Sequence, residues 1–299
     1  MKWENKIAGV LLAVFSGLSG CEKNITVKQL PYASKLSIQC LLKPGEYPVL
    51  YLYRTVPYFD PKITNRDLFV RNAMVDITSP SGTDSMTADS LFNFFTCGMD
   101  YFYKGKIKTA ANTKYALSIE QDGLSYNAST VTDEAIVQID SINYVSSFKD
   151  IYGDHEGIIV HFKDNPNQEN FYRYEMSRII DSSIYHAASN VHSVCTNGQK
   201  FTVMEIGRTV YADKGLNGAS LVFTFEPAYT HKKGDIAYLR LESMDKNSFN
   251  FYDQLDKQKL AEFNPFVEPV FIKPGQFNNA IGVFGSYVVS DSVKFVYPE

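Results

Sequence analysis

Five histidines, 33 carboxylates and four cysteines are the side chains of this 299-residue chain best suited to acid–base, metal or nucleophile chemistry. His155, His161, His186, His192 and His231 stand in no H-E-x-x-H or other close metal spacing. His161 falls in an alternating stretch and reads as a structural or surface residue. Asp150, Asp154 and Glu156 gather before Gly157 in "DIYGDHEG". Calcium asks for clustered hard oxygens, but this spacing is not that of an EF-hand, so a solvated acidic turn is the simpler reading. Asp213 and Asn217 in "DKGLNG" are read in the same way. The chain has no G-x-S-x-G elbow, phosphate loop or dinucleotide fingerprint, and nothing in it calls for a cofactor. A glycosidase needs only two carboxylates that meet in the fold, and such a pair has no sequence signature.

Cys21 is the residue with the clearest covalent chemistry. Lys2 and Lys6 precede a run from Ile7 to Gly20 dominated by Ala, Val, Leu, Phe, Gly and Ser, which has the charge, length and flanks of a signal peptide over residues 1–20. A permanent span needs about 20 apolar residues, so the run is short for one. Leu18-Ser19-Gly20-Cys21 then resembles a bacterial lipobox, a branched apolar residue and two small ones before the acylated cysteine. In signals of that kind the thiol becomes a thioether to diacylglycerol and the cysteine becomes the new N-terminus. Acyl chains contribute roughly 0.8 kcal/mol per buried methylene, and two or more anchor a soluble domain stably. An ordinary secretory signal and a buried core cysteine are the competing readings.

The charge balance narrows the partners. The full chain carries 29 basic and 33 acidic side chains, net −4, and loss of Lys2, Lys6 and Glu4 with the signal makes it −5. No basic field is present to attract nucleic acid, and mild negativity gives no broad hold on anionic lipid. Contact with the membrane therefore falls to the lipid on Cys21. Cys40, Cys97 and Cys195 remain. Cys40 and Cys97 could pair if their strands lie side by side, but the simpler expectation is that all three are small apolar core residues.

Positioning these groups falls to strands. Leu36, Ile38, Cys40 and Leu42 share one face of "KLSIQCLLK" before the Pro44-Gly45 turn, and Val49, Tyr51 and Tyr53 repeat the alternation. Ala73, Val75 and Ile77 alternate ahead of Ser79-Pro80-Ser81-Gly82. Tyr115, Leu117 and Ile119 do so ahead of an Asp122-Gly123 hairpin signal. Further strands are expected at Gly157–Lys163, from Phe171 onward, in "ASLVFTFEP" and in "DIAYLRLESM". One helix is expected in "NSFNFYDQLDKQKLAEF", with Phe249, Tyr252 and Leu255 as its apolar stripe and Asp245 or Ser248 as its cap. Strands this closely spaced leave no room for helical crossovers. The chain is therefore expected to be all-β, with two antiparallel β-sandwich-type domains and one short helix in the C-terminal half. Residues 21–133 are expected to form an Ig/transthyretin-like sandwich and residues 134–299 a second β-rich domain. The 20 Tyr and 21 Phe are strand packing first and a partner-facing surface second.

Several of these stretches together resemble one lipoprotein family. The Cys21 signal, "AMVDIT", "TKYALSIEQDGLSYNAST", "FKDNPNQENFYRYE", "DKGLNG" and above all "NPFVEPVFIKPGQFNNAIGVFGSY" look like the Bacteroidota outer-membrane lipoproteins classed as domain of unknown function 4249. The final segment departs from the family in one respect, with Asn279-Ala280-Ile281 where further glycine is usual. The resemblance implies an exported, lipid-anchored, β-rich protein, often associated with a TonB-dependent outer-membrane receptor, and it supplies no catalytic residues. From it we expect a non-catalytic accessory of such a β-barrel receptor, lipid-anchored at the outer membrane with its periplasmic or cell-surface face left open. The alternative is a cell-surface hydrolase acting on glycan or peptide. Asn264, Pro265, Phe266, Asn278, Gly282, Phe284 and Gly285 mark the end segment as either a strap closing the second sheet or a loop that meets a partner.

Overall fold

The computed structural model describes residues 32–57, 64–93, 97–150, 153–166, 168–181, 200–206, 210–227, 231–263, 271–273 and 275–298. Cys21, His186, His192, Cys195, Asn264, Pro265 and Phe266 lie outside them. The described chain is mostly strand, in several largely antiparallel sheets, with one long helix in its C-terminal half.

The alternation in β1 (Leu36–Leu42) buries Leu36, Ile38, Cys40 and Leu42. β2 (Val49–Arg54) returns antiparallel with Ile38 opposite Leu52 and Cys40 opposite Leu50. That register turns Leu50 and Leu52 inward and puts Val49, Tyr51 and Tyr53 on the other face. Alternation fixes two faces but not which of them meets the core. α1 (Asn65–Leu68) is a single turn capped by Thr64 and Asp67. β3 (Met74–Ser79), β4 (Gly82–Ser85), β7 (Lys114–Gln121) and β8 (Leu124–Val131) form a four-stranded sheet in the order β4-β3-β7-β8. Gln121 pairs with Leu124 across Asp122 (φ +51°) and Gly123 (φ +76°), both left-handed as a two-residue hairpin turn requires. Val75, Ile77, Leu117 and Ile119 of this sheet meet Ile38, Cys40, Leu50 and Leu52 in one core.

A second core lies between β10 (Gly153–Lys163) and the strands β11 (Phe171–Asp181) and β15 (Ile236–Met244). β10 is flanked by β9 (Ile139–Asp150) and β14 (Ser220–Phe225). Phe162 packs edge-on against Tyr172 and Phe223, with ring centroids 5.0 and 4.7 Å apart. Two turns beside this core are tied by buried polar groups. Asp164 accepts hydrogen bonds from the Tyr172 hydroxyl and from Gly218 N at 2.9 Å, and Asp213 accepts from Asn170 N at 3.1 Å. Asp213 is therefore a structural acceptor rather than a solvated loop residue.

The two cores flank the expected boundary near residue 133, yet one sheet runs through both. Its order is β12 (Lys200–Ile206), β11, β15, β16 (Ala280–Val289), β1, β2, β6 (Gly98–Lys104), β5 (Thr87–Asn93). β13 (Tyr211–Ala212) pairs with β11, and β17 (Val293–Val296) with β15. β16 lies antiparallel to β15 and parallel to β1, from Ala280 opposite Leu36 to Ser286 opposite Leu42. Phe277, Ala280 and Phe284 thereby enter the core of the N-terminal half, and Ser34–Glu299 forms one compact unit.

The end segment is thus more than a strap on the second sheet. Gly282, Phe284 and Gly285 are buried strand residues, a position that matches the strap and not the rival loop that meets a partner. Asn278 is exposed in the turn before them. Cysteine usage is also corrected. Cys40 is free, and full burial pushes its thiol pKa up, whereas Cys97 is disulfide-bonded. Hence Cys40 and Cys97 are not bonded to each other.

α2 (Lys246–Phe263) packs Phe249, Tyr252 and Leu255 with Phe171, Met244, Leu41 and Tyr287 of the long sheet. Its cap is Asp245, whose Oδ1 accepts from Ser248 N at 2.9 Å while Oδ2 accepts from the Thr130 hydroxyl at 2.9 Å. Asp245→Ala should cost about 1–2 kcal/mol in urea unfolding, with Asp245→Asn recovering most of it. Equal midpoints for wild type and Asp245→Ala would show that the cap contributes nothing.

Candidate functional site

Three zones stand out on the long sheet and the helix beside it, and the first two are direct products of strand register. Arg178 stands opposite Ala237 and Ile236 opposite Val296, so Ile179, Ile236, Tyr238 and Val296 share the outer face of β11, β15 and β17. They are 68, 40, 45 and 48 % exposed. Ile179, Ile236 and Tyr238 line a shallow depression of about 390 Å³. The opposite side of the same strands carries the core residues Met176, Ala237 and Leu239. These strands therefore carry apolar side chains on both faces here, and on the outer face Ile179, Ile236, Tyr238 and Val296 remain exposed beside Ser177 and Lys294.

The next zone is ionic. Arg173 lies opposite Glu242, and Glu175 opposite Arg240, giving two cross-strand pairs of opposite sign. Arg240 donates to Glu175, and Arg173 Nη1 lies 4.0 Å from Glu242 Oε2. The Arg173 guanidinium sits over the Tyr252 ring at 4.4 Å, and Gln39 Nε2 donates to the Tyr252 hydroxyl at 3.0 Å. Burial pushes the Glu242 carboxyl up to about 7; Arg173 pulls the other way but is too distant to compensate. Burial also raises Tyr252 and Tyr287.

The third zone is a cleft where the start of α2 meets the chain leading into β16. It encloses about 260 Å³ and is lined by Asn247, Asn250, Phe251, Gln254, Lys273 and Gln276, with the backbone of Gly275 and Gly282. Asn247 Nδ2 donates to Asp245 Oδ2 at 3.2 Å, and two further carboxamides are held at both ends. Gln254 Oε1 accepts from Lys273 N at 2.8 Å and its Nε2 donates to Asn250 O at 2.9 Å. Gln276 Nε2 donates to Ser129 O at 3.1 Å and its Oε1 accepts from Phe284 N at 2.8 Å.

A family model, Domain of unknown function (DUF4249), matches residues 22–292. The chain belongs to this family. No curated protein matches the sequence. The segment that most resembles DUF4249 thus supplies a central strand and one wall of the cleft through Gln276 and Gly282.

The histidine and acidic candidates are placed elsewhere. His161 Nε2 lies 3.1 Å from Asn143 Nδ2 on the surface. Glu156 takes the Tyr144 hydroxyl at 2.8 Å and His231 Nε2 at 2.6 Å, while His231 stacks on Tyr297 at 3.8 Å. Glu156 is therefore held by side chains and not by an open acidic turn. Among the described residues no group of three His, Cys, Asp or Glu could hold a metal ion. Glu134 is a further, half-buried carboxyl that sequence reading missed. It is hydrogen-bonded by Ser286, and burial pushes it up to about 7.

Signals for the other missed residues were present. Asn247, Asn250 and Gln254 recur at i, i+3 and i+7, which places three carboxamides along one side of a helix. Arg173/Glu175 and Arg240/Glu242 each sit two apart in a strand, but only the antiparallel register brings opposite signs together.

Proposed function

We propose that this DUF4249 chain is a lipid-anchored outer-membrane lipoprotein that serves as a non-catalytic binding partner of a TonB-dependent β-barrel receptor. The observation that carries the reading is the exposed apolar face of Ile179, Ile236, Tyr238 and Val296. Strand residues of this kind, uncovered over a core that is already filled on the other side, mark a protein-contact surface. The membrane half of the reading rests on the signal ending at Cys21. Charge complementarity plays no part, because the chain is only mildly acidic.

A second reading, a cell-surface hydrolase, draws on Glu134 and Glu242, whose pKa values near 7 suit acid–base work. Their surroundings favour a structural role. Ser286 hydrogen-bonds Glu134, which is half-buried, and Arg173 lies 4.0 Å from Glu242, which is buried.

Gentle detergent extraction of native membranes should recover a β-barrel receptor with the wild-type chain. The Ile236→Glu/Tyr238→Glu variant should lose it while keeping its melting temperature. Recovery of no β-barrel with the wild type, or undiminished recovery with the variant, would sink the proposal. In the same cells Cys21→Ala should move the protein from the membrane to the soluble fraction.

A further inference from the structure

We infer that the cleft between α2 and the chain leading into β16 is a binding site for a neutral sugar unit, the hydroxyl-rich end or side residue of a glycan. The inference goes beyond receptor docking and uses different residues, so failure of one leaves the other standing. Among the described residues four carboxamides, Asn247, Asn250, Gln254 and Gln276, supply most of the polar lining, with Lys273 as the single charge and no carboxylate. A carboxamide presents a donor and an acceptor in one plane, and a sugar hydroxyl both donates and accepts. Vicinal hydroxyls therefore satisfy such a group at both ends. A phosphate or carboxylate would satisfy only its N–H side and would call for more than one cation.

The site is also arranged in advance. Gln254 and Gln276 each spend one N–H and one lone pair on backbone groups, at 2.8 to 3.1 Å. This fixes their planes and leaves each with a second N–H and a second lone pair for a ligand. One wall is the helix, and Gln276 on the other is tied to β16 through Phe284 N. Phe251, half-buried and edge-on to Tyr252 at 5.4 Å, adds the apolar surface that the C–H face of a pyranose needs. At about 260 Å³ the cleft is below the size of a drug-sized pocket, which suits one ring rather than an extended peptide.

The test is titration of the full chain in detergent, by calorimetry, with neutral gluco-, galacto-, manno- and xylo-oligosaccharides. Inorganic phosphate and an uncharged peptide serve as the rival probes. At least one oligosaccharide should bind with a dissociation constant of about 1 mM or tighter. Asn250 is exposed, so Asn250→Ala should keep the melting temperature yet weaken binding about tenfold, which is about 1.4 kcal/mol. Lys273→Gln should change it by less than about threefold, because a neutral ligand does not depend on that charge. The inference is overturned if no oligosaccharide binds, if Asn250→Ala binds as wild type does, or if Lys273→Gln abolishes binding. It is also overturned if only phosphate or only peptide is held.

Discussion

Gly282→Ala should remove a large part of the protein's stability and move its urea midpoint far below that of the wild type. Gly282 sits in β16 opposite Ile38 of β1 with φ +146°, a backbone setting that L-residues rarely adopt. A Cβ there would overlap the Ile38 carbonyl oxygen and approach its carbon and nitrogen to 2.6 and 2.8 Å. These are main-chain atoms of a neighbouring central strand, so no side chain can rotate away. The strand pair would have to separate, in the middle of the sheet that both cores share. Strain and lost pairing together should cost on the order of 4 kcal/mol or more. Typical domains have only about 5–15 kcal/mol in total. Gly45→Ala is the control. Gly45 also has positive φ (+87°) but open space around it, so its loss should be about 1 kcal/mol from conformation alone. Urea midpoints read both. A Gly282→Ala midpoint matching that of Gly45→Ala would show that β16 does not pair with β1 as described.

Arg173→Ala should be mildly destabilising in acid and severely so in alkali. With Arg173 gone, Glu242 keeps its buried position and loses the cation 4.0 Å away. Removing one member of a buried pair costs about 3–5 kcal/mol when the survivor is charged. The wild type already shows the sign of the effect. Folding raises Glu242 from 4.5 to about 7, so the folded state prefers the neutral acid. As pH rises past 4.5 the unfolded chain ionises first and is favoured, until the folded carboxyl also ionises near 7. Glu134 behaves alike. Each carboxyl therefore contributes stability below pH 4.5 that declines through pH 7, up to about 3 kcal/mol apiece. In Arg173→Ala the folded pKa should rise further and the decline should run past pH 7. At pH 5 only the stacking on Tyr252 is lost, about 1 kcal/mol. Urea unfolding at pH 5 and pH 8 measures the difference. Adding Glu242→Gln to Arg173→Ala should restore most of the loss at pH 8. An equal cost at both values of pH would mean that Glu242 is not the titrating group.

What the sequence disclosed was local. The alternation from Leu36 to Leu42 marked a buried strand face, and Asp122-Gly123 marked a two-residue hairpin. The stripe of Phe249, Tyr252 and Leu255 marked the helix. Long-range pairing was illegible, because nothing in "AIGVFGSYVV" states that its neighbours will be Leu36–Leu42 on one side and Glu242–Met244 on the other. The same gap hid the ionic zone, whose partners Arg173 and Glu242 lie far apart in the chain. It also hid the inward turn of Leu50 and Leu52. The cleft was half-visible. Its helical carboxamides keep a regular spacing, but Gln276 reaches them only because β16 lies beside the start of α2.

The parallel pairing of β1 with β16 also sets a timetable for folding. Leu36 meets Ala280 across almost the whole length of the chain. A polypeptide that emerges N-terminus first presents β1 long before its neighbour exists. Until then Ile38 and Cys40 have β2 on one edge and an empty hydrogen-bonding edge on the other, and Phe284 has not yet filled the first core. Closing so distant a contact is slow, because the loop entropy is lost before the contact repays it. The N-terminal half therefore stays loose until the last strand arrives. A chain held open in this way completes its first core only once its last strand is available.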